Sequence, residues 1–231
     1  MPDRPWVMTQ TWNDLLFAHW PLPSLLLSSK IPAGLQLDVF EDQAWLGIVP
    51  FHMTNVAPRG VPALPRVSEF PELNVRTYVR VRDRPGVYFF SLDAANALAV
   101  RTARTLLNLP YYAASMRVSS GGGRVAYRSV RPGPPAAEFE ATYGPTGPAF
   151  EPRRGSLEYF LTERYCLYAT HRSGRLYRLD IHHPPWTLQA ADAEIGPNTV
   201  AEASGITLPG TPPLLHFAKR QDMVAWAPTG A

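Results

Sequence analysis

The chain has 231 residues, 45% of them hydrophobic and 18% charged, with a formal net charge of +3. That is enough apolar material for one substantial core, so residues 1–231 are expected to form a single domain. No apolar run approaches a membrane span, the MPDRPW start lacks the basic and apolar pattern of a secretory leader, and the lone Cys166 excludes an intrachain disulfide. A soluble cytoplasmic protein is the expectation, with Cys166 an inert strand thiol within LTERYCLYAT.

Lys30 and Lys219 are the only lysines; the other basic residues are arginines. From Arg76 to Arg131 ten arginines stand against Asp83 and Asp93, a local net of +8. The middle of the chain therefore reads as an arginine-rich surface able to attract phosphate, anionic metabolites or nucleic acid. No base-reading motif accompanies it, which makes a solvated strand face the plainer reading and nucleic acid an unlikely partner.

Taken in chain order, TWNDLLFAHW places Trp12, Leu15, Leu16 and His19 at helical spacing and predicts a helix over Thr11–Trp20, stopped by Pro21 and Pro23. A short helical turn is expected at Ser24–Ser28, then a strand at Leu35–Phe40 and a turn at Glu41 and Asp42. AWLGIVPFHM predicts a strand over Ala44–Met53, with Pro50 marking an edge or a bulge because proline cannot donate to a ladder. The proline-rich stretch Ala57–Pro71 reads as a long loop.

Leu73–Arg82 is the clearest strand, with Leu73, Val75, Thr77, Val79 and Val81 on a core face and Asn74, Arg76, Tyr78, Arg80 and Arg82 on a cationic one. Arg84, Pro85 and Gly86 are expected to turn the chain into the aromatic strand Val87–Leu92. Asp93 reads as the N-cap of a helix over Ala94–Leu107, with Leu98, Arg101, Thr102, Thr105 and Leu106 on one stripe. Tyr111–Val118 and Arg124–Val130 predict a hairpin about Gly121–Gly123.

Beyond the prolines at 132–135 a strand is expected near Glu138–Tyr143 and a capped helix at Ser156–Glu163. A hairpin is expected from Tyr165–Thr170 and Leu176–His182, followed by strands at Thr187–Ile195, Leu214–Phe217 and Met223–Trp226. About ten short antiparallel strands with few helices argue for a mainly β (α+β) barrel or curled sheet, since closure removes exposed edges.

FPELNVRTYV from Phe70, GVYFFSLDA from Gly86, ARTLLNLPYY from Ala103, SLEYFLTERYCLY from Ser156 and HPPW from His183 occur in an order that resembles the YqjF-like family of uncharacterised bacterial proteins. That family falls in the acetoacetate-decarboxylase-like superfamily. The resemblance implies a cone-shaped antiparallel β barrel with peripheral helices around a pocket for an anionic or carbonyl-bearing small molecule. It also implies a Schiff-base lysine after a glycine-tyrosine-proline stretch. Here the matching segment is Asn108-Leu109-Pro110-Tyr111-Tyr112, and neither lysine lies in a matching segment. An amine is obligatory for that chemistry, so acetoacetate decarboxylation is not expected.

The pocket carboxylate of the superfamily corresponds to Glu72, and its N-terminal arginine finds only His19 or Trp20 nearby. The candidate catalytic residues are Glu72, Tyr111 and Tyr112; the candidate ligand-binding residues are Glu72, Arg76, Tyr111, Tyr112, Arg117 and His19. Strand alternation lets only one of Tyr111 and Tyr112 face inward. Glu72 and Arg76 share a strand face, and a plain structural ion pair would account for both. Arg101 and Arg104, at i and i+3 of a helix, suit a solvated face better than an anion grip.

Adjacent His182 and His183 point to opposite faces of a strand, and no metal-ligand spacing appears, so neither a metal nor another cofactor is expected. His183 before Pro184 and Pro185 reads as a packed corner. A non-catalytic binding or interaction module is the competing reading, and a homo-oligomer stays open.

Overall fold

The computed structural model describes residues 1–64 and 68–231, apart from the side chains of Thr102, Ala103 and Leu106. Its elements in order are β1 (Met8–Leu22), α1 (Ser24–Ser28), β2 (Gln36–Leu37), β3 (Ala44–Pro58), β4 (Phe70–Val81), β5 (Arg84–Ala94), α2 (Ala97–Leu107), β6 (Tyr111–Ala113) and β7 (Ser115–Gly121). There follow β8 (Arg124–Arg131), β9 (Ala137–Pro145), α3 (Leu157–Thr162), β10 (Cys166–Thr170), β11 (Leu176–His182), β12 (Gln189–Asn198), β13 (Leu214–Ala225) and β14 (Thr229–Gly230).

Pairing runs β11-β10-β5-β4-β3-β1-β13, and β13 returns to β11 through Ile181↔Ala225 and His182↔Val224, which closes a ring of strands. The neighbours are antiparallel except β5 and β10, which run parallel. From β13 the sheet continues as an arm, β12-β9-β8-β7. The arm packs on the outer face of the ring: Tyr127, Phe139 and Tyr143 share one buried cluster with Leu16, Ile48, Leu73 and Val75. The opposite, inward face of the same strands carries Phe17, Val49, Phe51 and Phe70. Two apolar faces on one strand explain why β1, β3 and β4 read as nearly continuous hydrophobic runs.

The helix expected over Thr11–Trp20 is instead the middle of β1. Met8, Gln10 and Trp12 face the ring interior, and then Leu15 and Phe17 do. The phase slips at Asp14, which has φ 52° and is the extra residue relative to β3 between Asn13↔His52 and Ala18↔Ile48. A β-bulge thus produced the three-residue spacing that imitates a helix. Pro50 sits opposite this bulge, inside β3 rather than at an edge.

Other boundaries move for local reasons. The β4–β5 hairpin turns at Arg82 and Asp83, with Arg82 at φ 53° and Val81 paired to Arg84, so Arg84–Gly86 belong to the strand. The N-cap of α2 is Asn96, whose side chain accepts from the Leu98 and Ala99 amides, while Asp93 is buried on β5 against Arg131. Tyr111 and Tyr112 form the separate strand β6, parallel to β5, and the hairpin begins only at Ser115. The two C-terminal strands are one, β13.

The loop expected over Ala57–Pro71 contracts to the stretch between β3 and β4; residues 65–67 of it lie outside the described residues, as do the Thr102 and Leu106 side chains of the expected α2 stripe. The turn at Glu41 and Asp42, the cap at Ser156, the β10–β11 pair and the buried Cys166 stand where the sequence puts them. Among the described residues no helix is long and apolar enough to cross a membrane.

Candidate functional site

The ring encloses a cavity of about 710 Å³ whose walls are mainly apolar. One strand supplies three of its polar side chains. On β4 the residues Phe70, Glu72, Asn74 and Arg76 alternate inward, a period of two that puts a carboxyl, an amide and a guanidinium in a row on a single wall.

Glu72 is buried, and Tyr111 Oη donates to its Oε2 at 2.7 Å. Its backbone carbonyl accepts from Tyr127 Oη at 2.7 Å, which anchors this point of β4 to the arm. Burial pushes the Glu72 carboxyl up to about 7; the Tyr111 hydrogen bond pulls it back somewhat, and the Asp93 charge pushes it further up. The Tyr111 phenol is driven well above its ordinary value by burial and by the same carboxyl, so it remains a donor. At neutral pH the pair therefore holds a carboxyl poised between its acid and base forms beside a fixed phenol.

Arg76 lies deeper. Its Nη2 donates to the Leu161 carbonyl at 3.2 Å, its guanidinium stands 5.4 Å from the Phe17 ring centre, and its Nε is buried without a hydrogen-bond partner. Among the described residues no carboxylate lies within ion-pair distance of it. The plain Glu72–Arg76 ion pair therefore does not form, and Glu72 turns to Tyr111 instead. Between them Asn74 Oδ1 is also buried and unpartnered. Arg164, the other guanidinium on the cavity wall, is held by Asp38 at 2.5 Å.

His19 is fully buried but sits beyond the cavity, at the closed end. Its Nε2 lies 2.6 Å from Tyr78 Oη, which in turn donates to the Leu161 carbonyl at 2.9 Å. With the phenolic proton committed to Leu161, Nε2 must donate and Nδ1 is left as a bare acceptor, consistent with Nδ1 having no partner. Burial first, then the charges of Arg76 and His216, hold this imidazole neutral.

Two expected site residues fall elsewhere. Tyr112 points away from the ring cavity: it lines an outer depression of about 400 Å³ and lies under Arg131, 4.1 Å from its ring centre. Tyr111 is thus the inward member of the pair, as alternation requires of one of them. Arg117 is exposed on β7, the last strand of the arm, far from the ring interior in strand order.

The arginine-rich middle of the chain does not form one surface either. Arg76 faces the ring cavity, Arg131 is buried against Asp93 away from it, and Arg84, Arg124 and Arg128 pair with Asp180, Asp192 and Glu138, all carboxylates from other parts of the chain. Arg101 and Arg104 are exposed on α2. His183 is the packed corner expected, stacked on Tyr165 at 4.6 Å, though it also borders the cavity. Asn74, Arg164, Trp12 and Trp186 were missed; inward alternation from Glu72 was the available signal for Asn74 alone.

Neither lysine lines the ring cavity. Lys30 borders the outer depression, and Lys219 is exposed and paired with Asp14 at 2.5 Å. Among the described residues no group of three or more histidine, cysteine, aspartate or glutamate side chains is placed to hold a metal ion.

Comparison with known proteins places this geometry in context. The profile of the DUF2071 family, described as an uncharacterized conserved protein, matches residues 9–222. The uncharacterized protein YqjF of Bacillus subtilis (strain 168) is 50% identical over 226 residues, 98% of this chain and 93% of the relative. Among solved structures, an acetoacetate decarboxylase-like enzyme from Sphingomonas wittichii RW1 superposes with a TM-score of 0.66 at 13% identity, covering 99% of this chain and 94% of its own. The enduracididine biosynthesis enzyme MppR complexed with pyruvate gives 0.66 at 12% identity over 100% and 91%. Acetoacetate decarboxylase from Legionella pneumophila subsp. pneumophila str. Philadelphia 1 gives 0.64 at 14% identity over 100% and 92%. At such identities the likeness is one of fold.

Proposed function

The chain belongs to the DUF2071 family of uncharacterized conserved proteins with an acetoacetate-decarboxylase-like fold, and from that premise we propose that its ring cavity binds a small anionic or carbonyl-bearing molecule without forming a Schiff base. Arg76 receives the anionic group, Asn74 hydrogen-bonds a neutral oxygen, and Glu72, oriented by Tyr111, exchanges a proton with the ligand.

One observation carries the reading: a guanidinium and a Tyr111-bound carboxyl face the same apolar cavity, and among the described residues no carboxylate pairs with the guanidinium and no primary amine joins them. A half-buried cation left uncompensated is costly, and an incoming carboxylate offsets that cost with charge-assisted hydrogen bonds. A carboxyl with a pKa near the working pH suits proton transfer in either direction. MppR, of the same fold, is solved with pyruvate, which supports a small carboxylate as the kind of ligand.

The test is thermal unfolding against a panel of carboxylates, neutral ketones and amines, on the wild type and on Arg76→Met, with borohydride added to the ketone samples. Carboxylates raise the melting temperature of the wild type and not of Arg76→Met, and borohydride leaves no covalent adduct. A panel without any stabilising anion, or a ketone trapped on Lys30, refutes the proposal.

A further inference from the structure

Resting on that reading, we infer that the cavity admits an amphipathic monocarboxylate head first, with its carboxylate on Arg76 at the closed end and its apolar tail running back to the mouth. The direction follows from burial. Of the residues lining the cavity, Val7 and Leu98 are 44% and 61% exposed, so the mouth lies where the start of β1 meets α2. At the opposite end Phe17, His19, Tyr78 and Leu161 are all closed off from solvent. Register places the polar groups along this axis: Phe70 pairs with Met53, Glu72 with Phe51 and Arg76 with Gly47, so Arg76 is deepest.

The spacing sets the ligand's proportions. Six residues of strand separate Arg76 from Phe70, about 20 Å at the usual rise per residue. Between head and mouth the tail meets Trp12, Phe51, Met53, Phe70, Trp186 and Met223. A small acid such as acetate would leave this apolar surface uncovered, whereas an alkyl or arylalkyl chain covers it. Arg164 shares the closed end, but Asp38 already compensates its charge, so the site has one free cation among the described residues and suits one negative charge. A second carboxylate further along the ligand would lie against Glu72 with no cation to receive it.

The experiment is calorimetric titration of the full chain with acetate, butanoate, hexanoate, octanoate, decanoate and tetradecanoate, with octanol and the dicarboxylate suberate as controls. Affinity is expected to rise about fourfold per added methylene until the tail reaches the mouth. Octanol and suberate are expected to bind at least tenfold more weakly than octanoate. Leu98→Glu, a change at an exposed position, is expected to weaken tetradecanoate, which is long enough to reach the mouth, and leave butanoate unaltered.

Equal affinity across the series, or suberate equal to octanoate, overturns this inference while leaving small-anion binding intact. A chain-length series unaltered in Arg76→Met, or equal losses for butanoate and tetradecanoate in Leu98→Glu, overturns the head-first orientation. If no acid in the series binds, and none stabilises the protein in the thermal panel, the proposed function itself fails.

Discussion

Replacing Glu72 by glutamine separates the carboxyl's charge from its shape. Folding raises this carboxyl from 4.5 to about 7, chiefly through burial. A raised folded-state value means that the native state holds the proton more tightly than the unfolded chain. Below pH 4.5 both states are protonated and nothing is lost. Between pH 4.5 and about 7 the unfolded state ionises first and stability declines, and above about 7 the loss is complete.

At 1.36 kcal/mol per pH unit, that difference amounts to about 3 kcal/mol. Glutamine keeps an acceptor for the Tyr111 phenol and cannot ionise. Glu72→Gln should therefore equal the wild type near pH 4 and exceed it by about 3 kcal/mol at pH 8, which for a chain of this size is a melting-temperature gain of roughly 6–12 °C. Differential scanning calorimetry at one-unit pH steps reads the effect directly. A variant that is less stable at every pH, or a gap that does not widen between pH 4.5 and 7, would falsify the buried-carboxyl account.

Three further outcomes follow from other contacts. Asp93 and Arg131 form a fully buried ion pair at 2.6 Å, so Arg131→Met alone should cost about 3–5 kcal/mol in denaturant unfolding, with much of it recovered on adding Asp93→Leu. A Cβ at Gly86 would stand 2.8 Å from the Cys166 carbonyl and sulfur, where β5 runs beside β10, so Gly86→Ala should cost at least about 1–3 kcal/mol; an unchanged midpoint would show that the parallel pair can spread. Arg117→Ala, on the exposed edge of the arm, should change stability by less than about 0.5 kcal/mol and leave carboxylate binding as it was, measured by the same melts and titrations.

How much of this was legible in the sequence depended on whether one strand face or two were buried. The β4 alternation was read correctly in period, yet its arginine-bearing face was taken for a surface. A ring turns that face toward an enclosed interior, and periodicity cannot tell an interior from solvent. The β1 segment misled because a bulge at Asp14 shifts the inward phase by one residue, so local spacing matched a helix while long-range pairing with β3 and β13 decided the outcome.

Short turns were readable where glycine or acidic residues carried them. The Arg82–Asp83 turn was not, because arginine gives no signal for a positive φ. Glu72 and Tyr111 were found as candidates, but their hydrogen bond joins β4 to β6 across 39 residues of chain, and nothing local to either announces it. Tyr112 was included because its segment matches the one that carries the superfamily's lysine, and Arg117 as a cation nearby in sequence; neither ground says which side of a sheet a residue faces.

The central claim is that an enclosed, lysine-free cavity seats an anion on Arg76. Co-crystals with tetradecanoate brominated at its tail carbon test it most directly, since anomalous scattering locates the tail independently of the head. The account predicts a bromine peak near Leu98 at the mouth and the carboxylate within hydrogen-bond distance of the Arg76 guanidinium. Bromine in the outer depression beside Lys30, or a ring with no ligand at saturating concentration, would contradict it.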